Sequence, residues 1–302
     1  MQQEIPDQTH RGYLFTFLAF FGWGLIPLYF KVIQHVPTLE IVAHRVFWMC
    51  CILLTTTLIL RKGATLRSYY LNKKVLPLMM ITALLIASNW LVFTYAVLHS
   101  RVLDTSMGYF INPLFNVLLG MLFLKERLRP GQKISIVIAS AGVLYMIIQH
   151  GSLPWIALFL PVTFGLYGLL RKRIPIDAFS GLTMEASLLL PFAMGYMVYL
   201  QSQGNFAFTQ EPAWGQLTIA ACGIITLTPL MCFGAGVRRI PYTTVGIMQY
   251  IAPSMTFLLS VFVFDEPFVQ TQFITFVFIW VSLCIFTMEN VHYERKRMRA
   301  YA

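Results

Sequence analysis

The chain has 302 residues, of which 58% are apolar and only 11% are charged, and its formal net charge is +10. A water-soluble domain usually carries about a quarter charged residues because its surface must face water, so this composition excludes a water-soluble fold, a disordered tail and a nucleic-acid-binding protein. What remains is a polytopic membrane protein, in which an excess of Lys and Arg reports topology because these residues collect in cytoplasmic loops.

The apolar residues fall into ten segments of about 20 residues, the length that a helix needs to cross the hydrocarbon core of a bilayer. Helices are expected because lipid offers no hydrogen-bond partner to a sheet edge, and the continuous apolar runs lack the alternation of a β-barrel. The first segment has no small-residue cleavage site, so we expect it to span the membrane rather than to be a signal peptide. The sequence therefore predicts an all-α integral membrane protein with ten transmembrane helices. The segments are residues 12–33, 40–60, 75–98, 105–124, 131–149, 154–171, 181–200, 214–236, 243–264 and 270–290.

Lys and Arg are distributed very unevenly between the two sides of the predicted bundle. With the N-terminus in the cytoplasm, 19 of the 22 lie on the cytoplasmic side, Lys31 and Arg101 lie on the other side, and Arg45 lies within a span. This split predicts that both termini are cytoplasmic. The cytoplasmic set includes the basic run from Arg171 to Arg173.

The spacing of several Gly, Lys, Pro, Glu and Gln residues repeats between the two halves of the chain. This repetition indicates that a five-helix unit was duplicated, with one copy in residues 1–150 and the other in residues 151–302. Because five is odd, the second copy must enter the membrane from the opposite face, and such inverted repeats are typical of carriers. The matching residues are Gly24 and Lys31 with Gly165 and Lys172, and Pro113, Glu126 and Gln132 with Pro253, Glu266 and Gln272.

Several short motifs resemble the EamA family of the drug/metabolite transporter superfamily, and within it the RarD-type permeases. The resemblance covers nearly the whole chain, although Trp280 and Val281 stand where the second copy of the family pattern has a glycine. It implies a multi-pass permease of the bacterial cell membrane that moves a small metabolite or a drug-like molecule. The motifs are residues 124–128 (LKERL) and 264–267 (FDEP) for the family, and residues 44–48 (HRVFW), 88–90 (SNW), 108–114 (GYFINPL) and 249–253 (QYIAP) for the subgroup.

Arg45 and Glu185 are the charged residues that lie well inside predicted spans. A charge within a span is costly and tends to face a cavity or a partner. The guanidinium of Arg45 suits the two oxygens of a carboxylate or phosphate, and the alternatives are that it snorkels to the interface or forms a structural ion pair. For Glu185 four roles stay open: an ion pair with Arg45, binding of a substrate amine, uptake of a proton, or a structural hydrogen bond.

Pro113 and Pro253 occupy matching positions and are predicted hinges, because a proline frees the carbonyl four residues earlier. Polar side chains near such kinks line a cavity or hold neighbouring helices together, and aromatic side chains form walls for apolar or cationic cargo. The other predicted substrate-binding residues are Asn89, Asn112, Gln249 and Tyr250 among the polar side chains, and Trp23, Trp48, Trp90, Tyr109 and Tyr167 among the aromatic ones.

Four further charged residues lie at the ends of predicted spans. Lys31 and Lys172 are expected to be interfacial anchors, with gate contacts as the alternative. Glu126 and Glu266 are expected to cap local turns or to form ion pairs in loops.

The sequence thus predicts a membrane permease that works by alternating access through a central cavity between the repeats. The alternatives are an intramembrane lipid-modifying enzyme and a non-transporting membrane scaffold. We expect no enzymatic activity, cofactor or metal, because no catalytic triad, metal-ligand cluster or nucleotide fingerprint is recognisable and the five cysteines lie inside apolar runs. The expected partners are a small-molecule substrate and the lipid bilayer, with no nucleic acid, and the fused repeats allow a functional monomer.

Overall fold

The computed structural model describes residues 6–98, 101–153, 155–263 and 270–301. Within these ranges the chain folds into α-helices joined by short connections, and no β-strand occurs there. The predicted all-α fold is therefore confirmed. The helices are α1 (Pro6–Val32), α2 (Thr38–Ile59), α3 (Gly63–Leu71), α4 (Val75–Leu98), α5 (Val102–Leu124), α6 (Pro130–His150), α7 (Trp155–Arg173), α8 (Ala178–Ser202), α9 (Ala207–Gln210), α10 (Ala213–Ala220), α11 (Cys222–Val237), α12 (Tyr242–Met248), α13 (Ile251–Phe262) and α14 (Gln270–Tyr301).

Eight of the described helical stretches are long and apolar enough to cross a membrane. They are α1, α2, α4, α5, α6, α8, α14 and the consecutive pair α10 and α11. The sixth and ninth predicted spans are not among these eight stretches. Helix α7, in the sixth, ends in a basic turn, and the ninth is divided into α12 and α13. Residues 264–267, with the predicted capping residue Glu266, lie outside the described residues.

The outer surface of the bundle is apolar along the length of the helices. Large side chains such as Leu84, Phe192 and Val198 are exposed there. A surface of this kind would drive aggregation in water, whereas lipid is its natural solvent. The chain is therefore a multi-pass membrane protein.

The break between α12 and α13 follows from Pro253. Proline has no N–H to donate to the Gln249 carbonyl one turn earlier. That carbonyl instead accepts a hydrogen bond from the Ala252 N–H at 3.2 Å, while the Tyr250 N–H donates to Ile247 O, also at 3.2 Å. These shorter-range bonds tighten the chain into a turn. Pro113, its counterpart, lies inside the uninterrupted helix α5.

The helices run between two ends of the bundle. We call the end where α1 begins the near end, and the end where α1 finishes the far end. Arg239, just after α11, donates from Nε to Gln8 Oε1 at 3.1 Å, so α11 finishes at the near end. Lys172 in the last turn of α7 donates to the neighbouring carbonyl of Ile240 at 2.6 Å, so α7 finishes there too. Consequently α1 and α7 run in opposite directions.

The main packing contacts join the first half of the chain to the second. Helix α1 packs against α11 and α13, and α7 packs in the corresponding way against α4 and α5. Helix α2 contacts α8 and α11, α5 contacts α12, and α6 contacts α14. The interior between the halves is therefore shared, and neither half encloses it alone.

Gly24 lies where α1 presses closely against α13. A Cβ atom at this position would approach the Cβ of Met255 to 2.7 Å and the carbonyl oxygen of Ala252 to 3.2 Å. At the crossing of α7 and α5, a Cβ on Gly165 would approach Phe115 Cδ1 to 2.7 Å. Only glycine allows these helices to come so close.

We predict that Gly24→Ala destabilises the protein by about 1–3 kcal/mol, because the added methyl group overpacks a contact between helix backbones. Gly195→Ala is the matched control, since Gly195 also lies inside a spanning helix and its Cβ would meet nothing within 4 Å. The thermal unfolding midpoint of the detergent-solubilised protein should fall for the first variant and stay level or rise for the second. Equal midpoints for the two variants would contradict the close crossing.

Candidate functional site

Arg45 lies on α2, about 10 Å along the helix from its far-end start. Its Nε donates to Thr226 Oγ1 on α11 at 2.9 Å, and its guanidinium carbon lies 4.5 Å from the ring centroid of Trp90 on α4. Among the residues that the structure describes, no carboxylate lies within ion-pair distance of Arg45, and its two Nη atoms make no hydrogen bond to protein. Arg45 is partly exposed. The guanidinium is thus held at one edge and open at the other.

Tyr109, Tyr29 and Cys222 complete the surroundings of this guanidinium. Tyr109 on α5 has 43% of its surface exposed, and Arg45 is partly exposed beside it. The exposed parts of these two side chains border an open space next to the guanidinium. Tyr29 donates from its hydroxyl to Thr218 O at 2.8 Å. We call this space the Arg45 hollow, and its residues are Tyr29, Arg45, Trp90, Tyr109, Cys222 and Thr226.

A cluster of aromatic rings fills the interior between the Arg45 hollow and the near end. Trp23 on α1 lies 5.7 Å from Phe164 on α7 and 5.6 Å from Phe233 on α11, between ring centroids. Phe233 also stacks on Tyr167 at 6.2 Å and contacts the edge of Phe20 at 6.1 Å. Phe233 lies about 10 Å closer than Thr226 to the near end, at 1.5 Å per residue. These five residues form what we call the aromatic plug.

Glu185 lies in a second interior cluster and does not contact Arg45. Its Oε1 faces Arg171 Nε at 3.8 Å, and its Oε2 accepts a hydrogen bond from the Tyr167 hydroxyl at 3.3 Å. Arg171 also donates from Nη2 to the Ala178 carbonyl at 3.2 Å. Both charged side chains are almost completely buried. Arg171, which the sequence counts on the cytoplasmic side, therefore turns its side chain back into the bundle toward Glu185.

The predicted residues Gln249 and Tyr250 of the ninth segment lie at a contact with α5. Asn116 donates from Nδ2 to Gln249 Oε1 at 2.6 Å, and its Oδ1 accepts from the Tyr242 hydroxyl at 3.0 Å. The Tyr250 hydroxyl donates to the Phe110 carbonyl on α5 at 3.1 Å. These bonds hold α5 against α12 and α13. Of the two roles expected for polar side chains near the prolines, these residues therefore hold helices together rather than line a cavity.

Asn89 and Asn112 differ in their hydrogen bonding. Asn89 on α4 donates from Nδ2 to Leu160 O at 3.0 Å and to Thr163 Oγ1 at 2.9 Å, which fastens α4 to α7. Asn112 is buried, and its Oδ1 has no hydrogen-bond partner among the described residues. Neither residue contacts the guanidinium of Arg45.

Trp48 belongs to a contact at the far end. Its Nε1 donates to His44 Nδ1 at 3.1 Å, one turn earlier on α2. On the same helix, buried Glu40 accepts hydrogen bonds from the N–H groups of Ala207 and Phe208 at 3.1 and 2.9 Å. We call this arrangement the far-end clasp, because it ties α2 to the connection between α8 and α10.

Two charged side chains tie helix ends together at the near end. Glu126 accepts hydrogen bonds from the first two N–H groups of α12 at 2.7 and 2.8 Å, so it caps a different helix from its own. Lys172 donates to the carbonyls of Val237 and Ile240, at 2.9 and 2.6 Å, at the end of α11. A carboxylate at a helix N-terminus and an ammonium at a C-terminus both oppose the helix dipole. Lys172 is thus a helix cap rather than an interfacial anchor.

The sequence prediction missed four residues that matter for these clusters. Tyr29 and Thr226 stand in apolar runs without a distinguishing neighbour, and only tertiary packing, with α11 against both α1 and α2, brings them to Arg45. Arg171 is indistinguishable in sequence from the basic residues that follow it. Glu40 has one usable signal, since a carboxylate in the first turn of a helix is a common cap.

Comparisons with known proteins place this geometry in a family. A sequence model of the EamA-like transporter family matches residues 10–148. The chain is 40% identical to Uncharacterized transporter YojE of Bacillus subtilis over 95% of this chain and 97% of that protein. It is 39% identical to Protein RarD of Escherichia coli, covering 96% of this chain and 98% of that protein. A solved crystal structure with a TM-score of 0.67 and 17% identity, covering 93% of this chain and 98% of its own, shares the fold.

We predict that removing one member of the buried ion pair is far more harmful than removing both. Arg171→Met leaves Glu185 as an uncompensated buried carboxylate and should cost about 3–5 kcal/mol of stability, whereas Arg171→Met combined with Glu185→Gln should recover most of that loss. The measurement is a double-mutant cycle of thermal stability in detergent.

The half-exposed pair of His35 and Glu211 at the far end is the control for this cycle. His35→Ala should cost less than about 1 kcal/mol, because water screens that pair. If the two interior substitutions simply add, the carboxylate and the guanidinium do not depend on each other.

Proposed function

The chain belongs to the EamA-like transporter family, and on that basis we propose that it is a permease that moves a small molecule across the cell membrane by alternating access through the Arg45 hollow. The observation that carries the proposal is a cation with open hydrogen-bonding capacity, deep between the two halves of the chain, in a space walled by aromatic rings. A ligand site between two halves can be exposed to one side of the membrane and then to the other.

We further propose that the protein has ten spanning helices, arranged as two inverted five-helix repeats with both termini in the cytoplasm. The ninth span consists of α12 and α13, and α7 is the sixth. The opposite directions of α1 and α7 and their matching packing partners support this arrangement. So does the pair of close crossings at Gly24 and Gly165. Orientation rests on the positive-inside bias, which stays strong after the buried Arg171 is set aside.

The positions of the plug and the clasp support alternating access. The aromatic plug closes the interior toward the near end, which becomes the cytoplasmic end in the proposed orientation. Opening toward the cytoplasm requires the rings of Trp23, Phe164 and Phe233 to separate. Closing the other side requires the helices beside the far-end clasp to approach each other.

The turn at Gln249 and Tyr250 is the proposed hinge, and Pro253 sets it. A broken helix at the interface of two repeats absorbs rotation without losing many hydrogen bonds. The matching Pro113 lies within a continuous helix, so the two repeats adopt different shapes in this state. That difference is what a carrier needs, because the two repeats exchange shapes when access switches sides.

The family description and the names of several relatives, such as Uncharacterized transporter YojE, describe transporters rather than enzymes. An intramembrane lipid-modifying enzyme would need a free acid, base or metal cluster. Glu185 is engaged by Arg171, and no group of three metal ligands occurs among the described residues. In a non-transporting scaffold, an interior arginine without a carboxylate partner would have no role.

We predict that the purified protein in proteoliposomes carries at least one solute of a metabolite mixture across the bilayer, detected by mass spectrometry of the vesicle contents. Arg45→Ala should lower that flux at least about tenfold, since charge-assisted hydrogen bonds to a ligand are lost. Arg67→Ala removes an exposed cation from α3 and is the matched control. Absence of flux for every solute rejects the permease, and a solute that changes mass supports an enzyme instead.

A second prediction concerns the hinge. Pro253→Ala restores the N–H that Gln249 O lacks and should join α12 to α13, so the turnover rate should fall severalfold while the folded yield is kept. Pro191→Ala within α8 is the control, because Pro191 lies on the exposed face of an unbroken helix. Unchanged turnover in Pro253→Ala, measured as flux per protein in the same vesicles, would exclude this hinge.

A further inference from the structure

Arg45 is exceptional among the interior charges that the structure describes. Arg171 is neutralised by Glu185, and Glu40 accepts two backbone hydrogen bonds at the far-end clasp. Asp104, near the far end, faces Arg101 at 2.7 Å. Arg45 lies within a spanning helix without an anion from the protein in the described ranges, although a charge in a membrane interior is costly without one. An anion from outside the protein would supply the missing charge.

The geometry around Arg45 also limits the charge of that anion. The bond to Thr226 and the contact with Trp90 hold the guanidinium at Nε and at one face, and its two Nη atoms have no hydrogen-bond acceptor among the described residues. The fork of two Nη atoms matches the two oxygens of a carboxylate. A phosphate monoester carries nearly two negative charges and would need a second cation. No second cation is found among the residues that define the Arg45 hollow.

The walls of the hollow specify what the carboxylate is attached to. Trp90 and Tyr109 present aromatic surface, and Phe93 extends it, with its ring centroid 6.1 Å from that of Tyr109. Apolar and aromatic bodies bind to such walls by burying surface. The hydroxyls of Tyr29 and Tyr109 are the neutral polar groups beside the cation.

Among the described residues, no carboxylate beside Arg45 could receive a substrate amine. Glu185 is turned toward Arg171, and Glu40 is turned toward the backbone of the connection after α8. The ammonium group of an amino acid would lose its hydration there without gaining an ionic partner. The site is therefore suited to an anion rather than to a zwitterion.

We propose, on the basis of the permease function argued above, that the cargo is an organic monocarboxylate with an apolar or aromatic body. Arg45 binds its carboxylate through both Nη atoms, and Trp90 and Tyr109 enclose its body. The charge of the loaded hollow is then neutral, which lowers the cost of moving it through the low-dielectric interior.

A series of four related probes tests the proposal by equilibrium binding to the purified protein in detergent. Phenylpropionate carries the carboxylate alone, phenylpropionamide is its neutral analogue, phenylalanine adds an ammonium group, and phenylpropyl phosphate replaces the carboxylate. Phenylpropionate should bind at least about tenfold more tightly than the amide, because the bidentate charge-assisted bonds are lost in the amide. Phenylalanine and the phosphate ester should both bind more weakly than phenylpropionate.

Three variants test whether the preference for the acid over the amide depends on Arg45. Arg45→Gln should remove the preference for the acid over the amide, and Arg45→Lys should keep part of it, since an ammonium retains the charge without the fork. Arg67→Gln, which removes an exposed cation, should leave the preference unchanged.

Several outcomes would overturn the proposal: equal affinity for acid and amide, native acid binding by Arg45→Gln, tighter binding of phenylalanine or the phosphate ester, or binding of none of the four probes. Flux of the metabolite mixture separates this failure from a failure of the permease function. If the mixture still crosses the vesicles, only the anion site is wrong. If nothing crosses, the permease itself is rejected.

Discussion

A charged side chain inside a bundle that sits in lipid must be compensated, and this constraint explains the interior of the protein. The two interior arginines satisfy it in different ways. Arg171 has a permanent partner in Glu185, and the pair is sealed among packed helices. Arg45 is held by the Thr226 hydroxyl and the Trp90 ring and has no carboxylate partner among the described residues. One arginine is therefore part of the scaffold, and the other is available to a ligand.

The same constraint applies to the ends of the helices, where unpaired backbone groups also need partners. Glu126 supplies acceptors to the start of α12, Lys172 supplies donors to the end of α11, and Glu40 supplies acceptors to the connection after α8. Glu126 and Glu40 belong to the first half of the chain and their backbone partners to the second, whereas Lys172 and α11 both belong to the second half. The two carboxylate caps thus fix how the two halves meet while they satisfy the backbone.

The sequence predicted the parts of the structure that depend on one helix at a time. Apolar length and spacing located α1, α2, α4, α5 and α6 with boundaries close to the observed ones, because the bilayer sets the length of each run. The same reasoning failed at α12 and α13, where Pro253 lies in an apolar run and its effect depends on how the freed carbonyl is satisfied.

The candidate site was predicted unevenly for a related reason. Arg45, Trp90 and Tyr109 stood out as unusual residue types within spans, and the structure brings them together. Gln249 and Tyr250 looked equally suitable but face α5, and Trp48 lies at the far-end clasp. Tertiary packing decides which side of a helix faces the opposite half of the chain. The spacing of residues within one segment does not encode that choice.

The difference between the two arginines also follows from what a carrier has to do. If a carboxylate of the protein sat beside Arg45 as Glu185 sits beside Arg171, each ligand would have to displace a preformed ion pair before it could bind. A transported ligand must leave its site once per cycle, so the protein group that binds it must also be stable without a ligand. The hydroxyl of Thr226 and the face of Trp90 do this, because they hold the guanidinium in place without neutralising it. In the proposed permease, the absence of an acid beside Arg45 among the described residues is then a requirement of turnover, and the buried pair at Arg171 shows that the fold can supply such an acid where permanence is needed.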